Sequence, residues 1–154
     1  MSTKTQSEFS KFFGPVVATG AERICVRNLK DQFSCFKISK KIHSKETRRE
    51  IKYFKFLKKR GISSSFIPAF IDNFETKEEI IIEQELITDH PEQNLFAFRV
   101  EEFVADASDK QLAKLEQLFR ELYRELKDKN IIISDLHAGN MTVSYTHLTL
   151  PTIA

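Results

Sequence analysis

Ile131-Ile132-Ile133-Ser134-Asp135-Leu136-His137-Ala138-Gly139-Asn140-Met141 closes an apolar run on an Asp and sets an Asn five residues later, across a glycine-containing turn. An Asp and an Asn at this spacing can converge on one phosphoryl group from a single short loop. The Asp accepts the proton of an attacking hydroxyl, and the Asn holds a magnesium ion on the phosphates. Asp, Asn and Gly are also what an ordinary turn uses. Spacing alone leaves both readings open, so the rest of the chain has to decide.

Two upstream segments bear on the choice. Gln32 to Ser39 reads as a strand in which Phe36 and Ile38 share one face and Cys35 and Lys37 the other. A Lys beside a small residue, away from the large apolar side chains, suits an ammonium that reaches phosphates; an edge-strand Lys is the plainer alternative. Ser44 to Gly61 reads as a helix, with Ser44 as N-cap, Lys58 to Arg60 at the C-terminal dipole and Gly61 just past the end. Glu50 falls on its apolar stripe with Tyr53, Phe54 and Leu57. A carboxylate there is costly unless paired, and Lys37 is the expected partner. Arg49, Lys52 and Lys55 are local rivals on other faces.

A strand Lys, a helix Glu, then a loop Asp and Asn, in that order, form a constellation rarer than any one member. With Thr19-Gly20-Ala21-Glu22-Arg23-Ile24-Cys25, Cys35-Phe36-Lys37-Ile38 and Arg48-Arg49-Glu50-Ile51-Lys52-Tyr53, the chain resembles the kinase-like superfamily. More closely, it resembles the bacterial YrbL family of the PhoP regulatory network, from about Pro15 to Val143. The resemblance implies an α+β, protein-kinase-like fold: an antiparallel five-stranded small lobe with one helix, then the first part of a helical large lobe. It implies ATP and Mg2+ as cofactors and an ATP-dependent phosphotransferase whose acceptor, protein or small molecule, is unassigned. By the same resemblance Gly20, Lys37 and Glu50 serve ATP binding, Asp135 is the catalytic base and Asn140 the metal ligand. Catalysis would then come from positioning and charge neutralisation. The alternative is a pseudokinase acting as a regulatory interaction module. Only Gly20 remains of the usual G-x-G-x-x-G, and a plain hairpin turn explains it equally well.

The remaining segments are read to match. Val16–Thr19 and Ile24–Val26 are expected to form a hairpin around Gly20–Glu22, joined to the Lys37 strand through Lys30-Asp31. Phe66–Ile71 and Ile80–Ile87 are expected as two further strands around a Thr76-Lys77 turn. By resemblance, backbone groups near Gln84 to Ile87 would bond adenine. Pro91 to Ala107 is expected to be irregular apart from Leu95–Val100. Ser108 opens a second helix through a capping box with Gln111, its stripe running Leu112, Leu115, Leu118, Phe119, Leu122 and Leu126. His137 follows Asp135 by two residues, where by resemblance a group near the transferred phosphate stands; a turn residue is the other reading. Ser134 replaces the Arg that activation-loop control requires.

Residues 143–154 contain no Asp, Glu, Lys or Arg in a chain that is 30% charged. They resemble translated adaptor read-through and are expected to be non-native, a strand and turn being the alternative. The Asp-Phe-Gly-type motif would then lie beyond the truncation, and the 154-residue chain is expected to be inactive. The expected divisions are an N-terminal extension 1–14, small lobe 15–88, large-lobe start 89–142 and tail 143–154. Net charge is +2, which gives no reason to expect nucleic acid as a partner. The histidines are scattered without ligand spacing. Two cysteines read as reduced core residues of a cytoplasmic protein, and there is no long apolar run for a membrane.

Overall fold

Gly20, Ala21 and Glu22 turn the chain between β1 (Phe13–Thr19) and β2 (Arg23–Asn28), and the turn closes through the Gly20 N–H donating to the Arg23 carbonyl at 2.8 Å. The computed structural model describes residues 10–62, 66–90, 95–96, 98–133, 141–143 and 148–149. They fall into two compact units, Met1–Phe54 with Ala69–Leu86, and Lys55–Pro68 with Ile87–Ala154.

The first unit is built on an antiparallel five-stranded sheet of order β1-β2-β3-β5-β4, with β3 at Asp31–Lys40, β4 at Phe70–Glu75 and β5 at Glu79–Glu85. Period-two alternation sorts its side chains. Val26, Phe36 and Ile81 form a buried cluster with Phe12, Phe13, Ile38 and Phe74 on one face. On the other, Ile80 and Ile82 pack with Phe70 and with Ile51 of helix α1 (Lys45–Arg60). The run Ile80-Ile81-Ile82 is at most 1% exposed, because β5 is covered on both faces. Phe54 stacks on Phe70, centroids 5.4 Å apart.

Both edge strands are irregular. β1 slips register on either side of Val16, and β4 slips between Phe70 and Asp72. Pro15 lies in β1, where a missing N–H is tolerated at an edge. A Cβ on Gly14 would meet the Arg27 carbonyl and Leu29 at 3.1 Å, so the edge strand approaches β2 closely there.

In the second unit, Gly61 (φ 66°) ends α1. Its N–H bonds the Lys58 carbonyl and that of Ile62 bonds Leu57, the double closure of a left-handed C-terminal cap. Helix α3 (Asp109–Asp128) ends in the same way on Asn130 (φ 52°), with Ile131 N–H to the Leu126 carbonyl. The Arg60 guanidinium donates to the Lys129 carbonyl at 3.1 Å, joining the two helix ends. At the start of α3 the expected capping box is present: Ser108 Oγ accepts from the Gln111 N–H, and Gln111 Oε1 accepts from the Ser108 N–H. Leu115, Leu122 and Leu126 of its stripe are buried.

Short strands complete this unit: β6 (Thr88–His90) pairs with β7 (Leu95–Phe96), and β8 (Phe98–Arg99), β9 (Thr142–Val143) and β10 (Leu148–Thr149) form a three-stranded sheet. Thus Val143 pairs with Phe98 and with Leu148 of the uncharged terminal stretch. Among the described residues no helix is long and apolar enough to cross a membrane.

The α+β class, the five-stranded sheet and the helix across one face stand as expected. Three local expectations do not. The strand read at Phe66–Ile71 begins instead at Phe70 and runs to Glu75, because Pro68 has no N–H to give a ladder. Glu101 to Asp106, expected to be irregular, belong with Val100 to a helix, α2 (Val100–Asp106), entered by the Val100 N–H on the Met141 carbonyl. Val100, Phe103 and Val104 carry the helical spacing that was available to see. Ser44 stands at the N-cap position of α1 as read, its carbonyl accepting from the Arg48 N–H at 2.9 Å, but its hydroxyl does not cap the helix: it donates to the Lys41 carbonyl at 2.7 Å and closes the preceding 3-10 turn.

Candidate functional site

Lys37 lies on β3, the middle strand, opposite Cys25 of β2 on one side and Ile82 of β5 on the other. Ladder bonds on both sides fix its backbone, and its side chain rises on the α1 face. There Glu50 is completely buried, and its Oε1 accepts from Lys37 Nζ at 2.8 Å. Arg49, the rival cation, bonds Glu46 on the helix surface instead. Burial of an ion pair is tolerable only if the remaining lone pairs are also satisfied. Here the second oxygen is engaged as well, because Glu50 Oε2 accepts from Arg23 Nη1.

Arg23 was not foreseen. It opens β2 directly after the Gly20 turn, and its contact spans 27 positions. Two residues before Cys25, it shares the face that Cys25 and Lys37 occupy. That alternation was the signal available in the sequence, once the hairpin register was assumed. Lys37 and Arg23 are 14% and 17% exposed, so both cations retain an opening to solvent. A second fastener holds the same junction: the Ser39 and Thr47 hydroxyls share a buried hydrogen bond two residues beyond Lys37 and three before Glu50.

The cations also act on the thiols. The Cys25 thiol is drawn below its ordinary range, first by its hydrogen bond with Cys35 and then by Lys37 and Arg23, against burial and Glu50. Cys35, 2% exposed, is pushed far up by that same bond and by burial. Both cysteines are free.

Gly20 lies in the turn beside Arg23, but its N–H is engaged within the turn. A Cβ there would meet only the Arg23 carbonyl at 3.7 Å, an ordinary contact. At the end of β5 the Glu85 N–H bonds the Ala69 carbonyl and the Leu86 N–H bonds the Phe33 carbonyl, both at 2.8 Å. These two donors of the expected adenine-binding stretch are therefore already taken. Asp135, Asn140, Ser134 and His137 lie outside the described residues; Ile131 before them and Met141 after them are buried. The structure thus brings Lys37 and Glu50 together, adds Arg23, and sets Gly20 at the adjoining turn.

A family model described as PhoP regulatory network protein YrbL matches residues 14–149. The match takes in helices α1, α2 and α3 and all of the five-stranded sheet but Phe13, and it runs past Val143. No curated protein matches the chain.

Proposed function

The chain belongs to the PhoP regulatory network protein YrbL family, and on that premise we propose that it carries the nucleotide-binding part of a kinase-like phosphotransferase. The observation that carries the reading is the buried Lys37–Glu50 pair, at 2.8 Å between a central strand and the helix above it. An ammonium held this way has one of its three N–H donors on the carboxylate and presents the others to a ligand. In this reading Lys37 contacts the α- and β-phosphates of ATP, and Glu50 keeps it in place. The donor set suits phosphate, being cationic, part-buried and fixed in advance.

Asp135 is assigned as the base that takes the acceptor hydroxyl's proton, and Asn140 as the residue that would hold Mg2+. When bound, that ion would neutralise charge developing on the phosphates. The acceptor is a hydroxyl of a protein or small molecule, and the protein is assigned to the cytoplasm. The test is equilibrium binding of ATP, with and without magnesium, by the whole chain and by Lys37→Ala. Saturable binding that Lys37→Ala weakens at least tenfold is expected. Equal binding by both proteins would remove Lys37 from the site.

One observation favours a second reading, a pseudokinase used as a regulatory interaction module. The Gly20 N–H closes its own turn, so the glycine gives the phosphates no donor there. Under that reading ATP binds without phosphoryl transfer to any acceptor, and magnesium does not strengthen it.

A further inference from the structure

The chain has two cysteines, Cys25 and Cys35, and both are free. Antiparallel pairing of β2 with β3 sets Cys25 opposite Lys37 and Arg27 opposite Cys35. Opposed residues share a face of the sheet, as do residues two apart on one strand. The two thiols are therefore diagonal neighbours on one face, and their side chains share a hydrogen bond.

Their surroundings are complementary. Cys25 is part-exposed, whereas Cys35 is only 2% exposed. The bond from Cys35, then Lys37 and Arg23, favour the thiolate at Cys25, while burial keeps Cys35 protonated. A reachable thiolate beside a sheltered thiol is the arrangement that a two-step oxidation requires. Diagonal neighbours stand roughly 7–8 Å apart at Cα, a little beyond the span of most disulfides. Closing such a bond draws β2 and β3 together locally. The ladder has room to give there, because its register breaks between Arg27 and Asn28, right beside the Arg27–Cys35 pair.

We propose that Cys25 and Cys35 are a peroxide-sensitive pair, in which Cys25 is oxidised first and Cys35 resolves it to a reversible intramolecular disulfide. The Cys25 thiolate attacks one oxygen of hydrogen peroxide; an S–O bond forms, the O–O bond breaks, and the departing hydroxide takes a proton from solvent. Cys25 is then a sulfenic acid. The Cys35 sulfur attacks the Cys25 sulfur, the S–O bond breaks as the S–S bond forms, and hydroxide leaves with the Cys35 proton as water. Two thiols have given two electrons, and one peroxide has become two waters. A dithiol reductant reverses the step by exchange. The disulfide fastens β2 to β3 on the face that carries Lys37, whether or not a nucleotide binds there.

The test is peroxide treatment of the reduced whole chain at neutral pH, then trypsin digestion and mass spectrometry without reductant. Cleavage after Arg23, Arg27, Lys30 and Lys37 puts the cysteines on separate peptides, Ile24–Arg27 and Asp31–Lys37. These peptides are expected to be joined, and a dithiol should part them. In Cys35→Ala, dimedone should capture a sulfenic acid on Cys25 several-fold more than in wild type. In Cys25→Ser, Cys35 should keep its thiol. Joining should be several-fold slower in urea, where the strands no longer hold the sulfurs together; that comparison uses wild type alone and serves if Cys35→Ala does not fold. Peptides that stay separate while Cys25 is oxidised, or that join no faster in the folded chain than in urea, overturn the proposal. So does equal dimedone capture in wild type and Cys35→Ala.

Discussion

Ser39 and Thr47 join β3 to α1 through a hydroxyl–hydroxyl hydrogen bond of 2.5 Å, with neither residue more than 1% exposed. Thr47→Val keeps the volume and strands the Ser39 hydroxyl without its partner. The cost should be about 1–3 kcal/mol, the penalty for a buried unsatisfied polar group. The double variant Ser39→Ala/Thr47→Val should be less destabilised than the sum of the singles. Urea unfolding of the four proteins reads the coupling directly; simple additivity would mean that the two hydroxyls do not act together.

Removing Glu50 should hurt more than removing either of its partners. Glu50→Ala takes the shared carboxylate away from both Lys37 and Arg23, and breaking a buried pair in this way costs about 3–5 kcal/mol. Lys37→Met leaves Arg23 on the carboxylate, and its penalty should be clearly smaller. Denaturation midpoints of the two variants check the order. A larger loss for Lys37→Met would show that Arg23 contributes little to holding Glu50.

Glu83 should make the fold less stable as pH rises. Burial pushes its carboxyl above the ordinary glutamate range, only partly offset by hydrogen bonds from Ser34 and Asn28. A folded-state value that is raised means the folded chain binds the proton more tightly. The stabilisation is therefore present below the ordinary glutamate range and is lost as pH rises through the raised value. Glu83→Gln should accordingly gain on wild type between about pH 4 and 7. The gain should be under about 1 kcal/mol, because the group is part-exposed and screened. Thermal midpoints across that pH range decide; a widening deficit for Glu83→Gln would contradict the sign.

Cys25 should alkylate well before Cys35. Its thiol is drawn down and it is part-exposed, whereas Cys35 is buried with its thiol pushed up. At neutral pH, iodoacetamide followed by mass spectrometry should find Cys25 modified at least tenfold faster. Lys37→Met should slow Cys25 by removing one of the cations that favour the thiolate. Equal rates at the two cysteines would contradict the environments described here.

How far the sequence was legible depended on how local each signal was. Lys37 and Glu50 each betrayed themselves by standing where their own element's periodicity wanted something else, and the structure joins them as expected. Arg23 carried no such mark. An Arg after a turn reads as a surface cation, and its contact with Glu50 exists only once the β1–β2–β3 register is set. β4 was misplaced because Phe66 and Ile67 read as strand residues while Pro68 vetoes a ladder there. Helix α2 was missed because seven residues give barely two turns of pattern. Chain closures at Gly61 and Asn130 needed only a positive φ, which glycine announces and asparagine merely permits.

The broken registers of β1 and β4 bear on how this protein behaves in company. A sheet grows by lending its outer hydrogen-bond ladder to another chain, and fibrils and edge-to-edge dimers begin that way. Here one outer strand has a proline and two register slips, and the other has a slip at its first residues. Neither rim offers an uninterrupted template. At high concentration the sheet should therefore resist stacking into filaments, even though it carries phenylalanines on both faces.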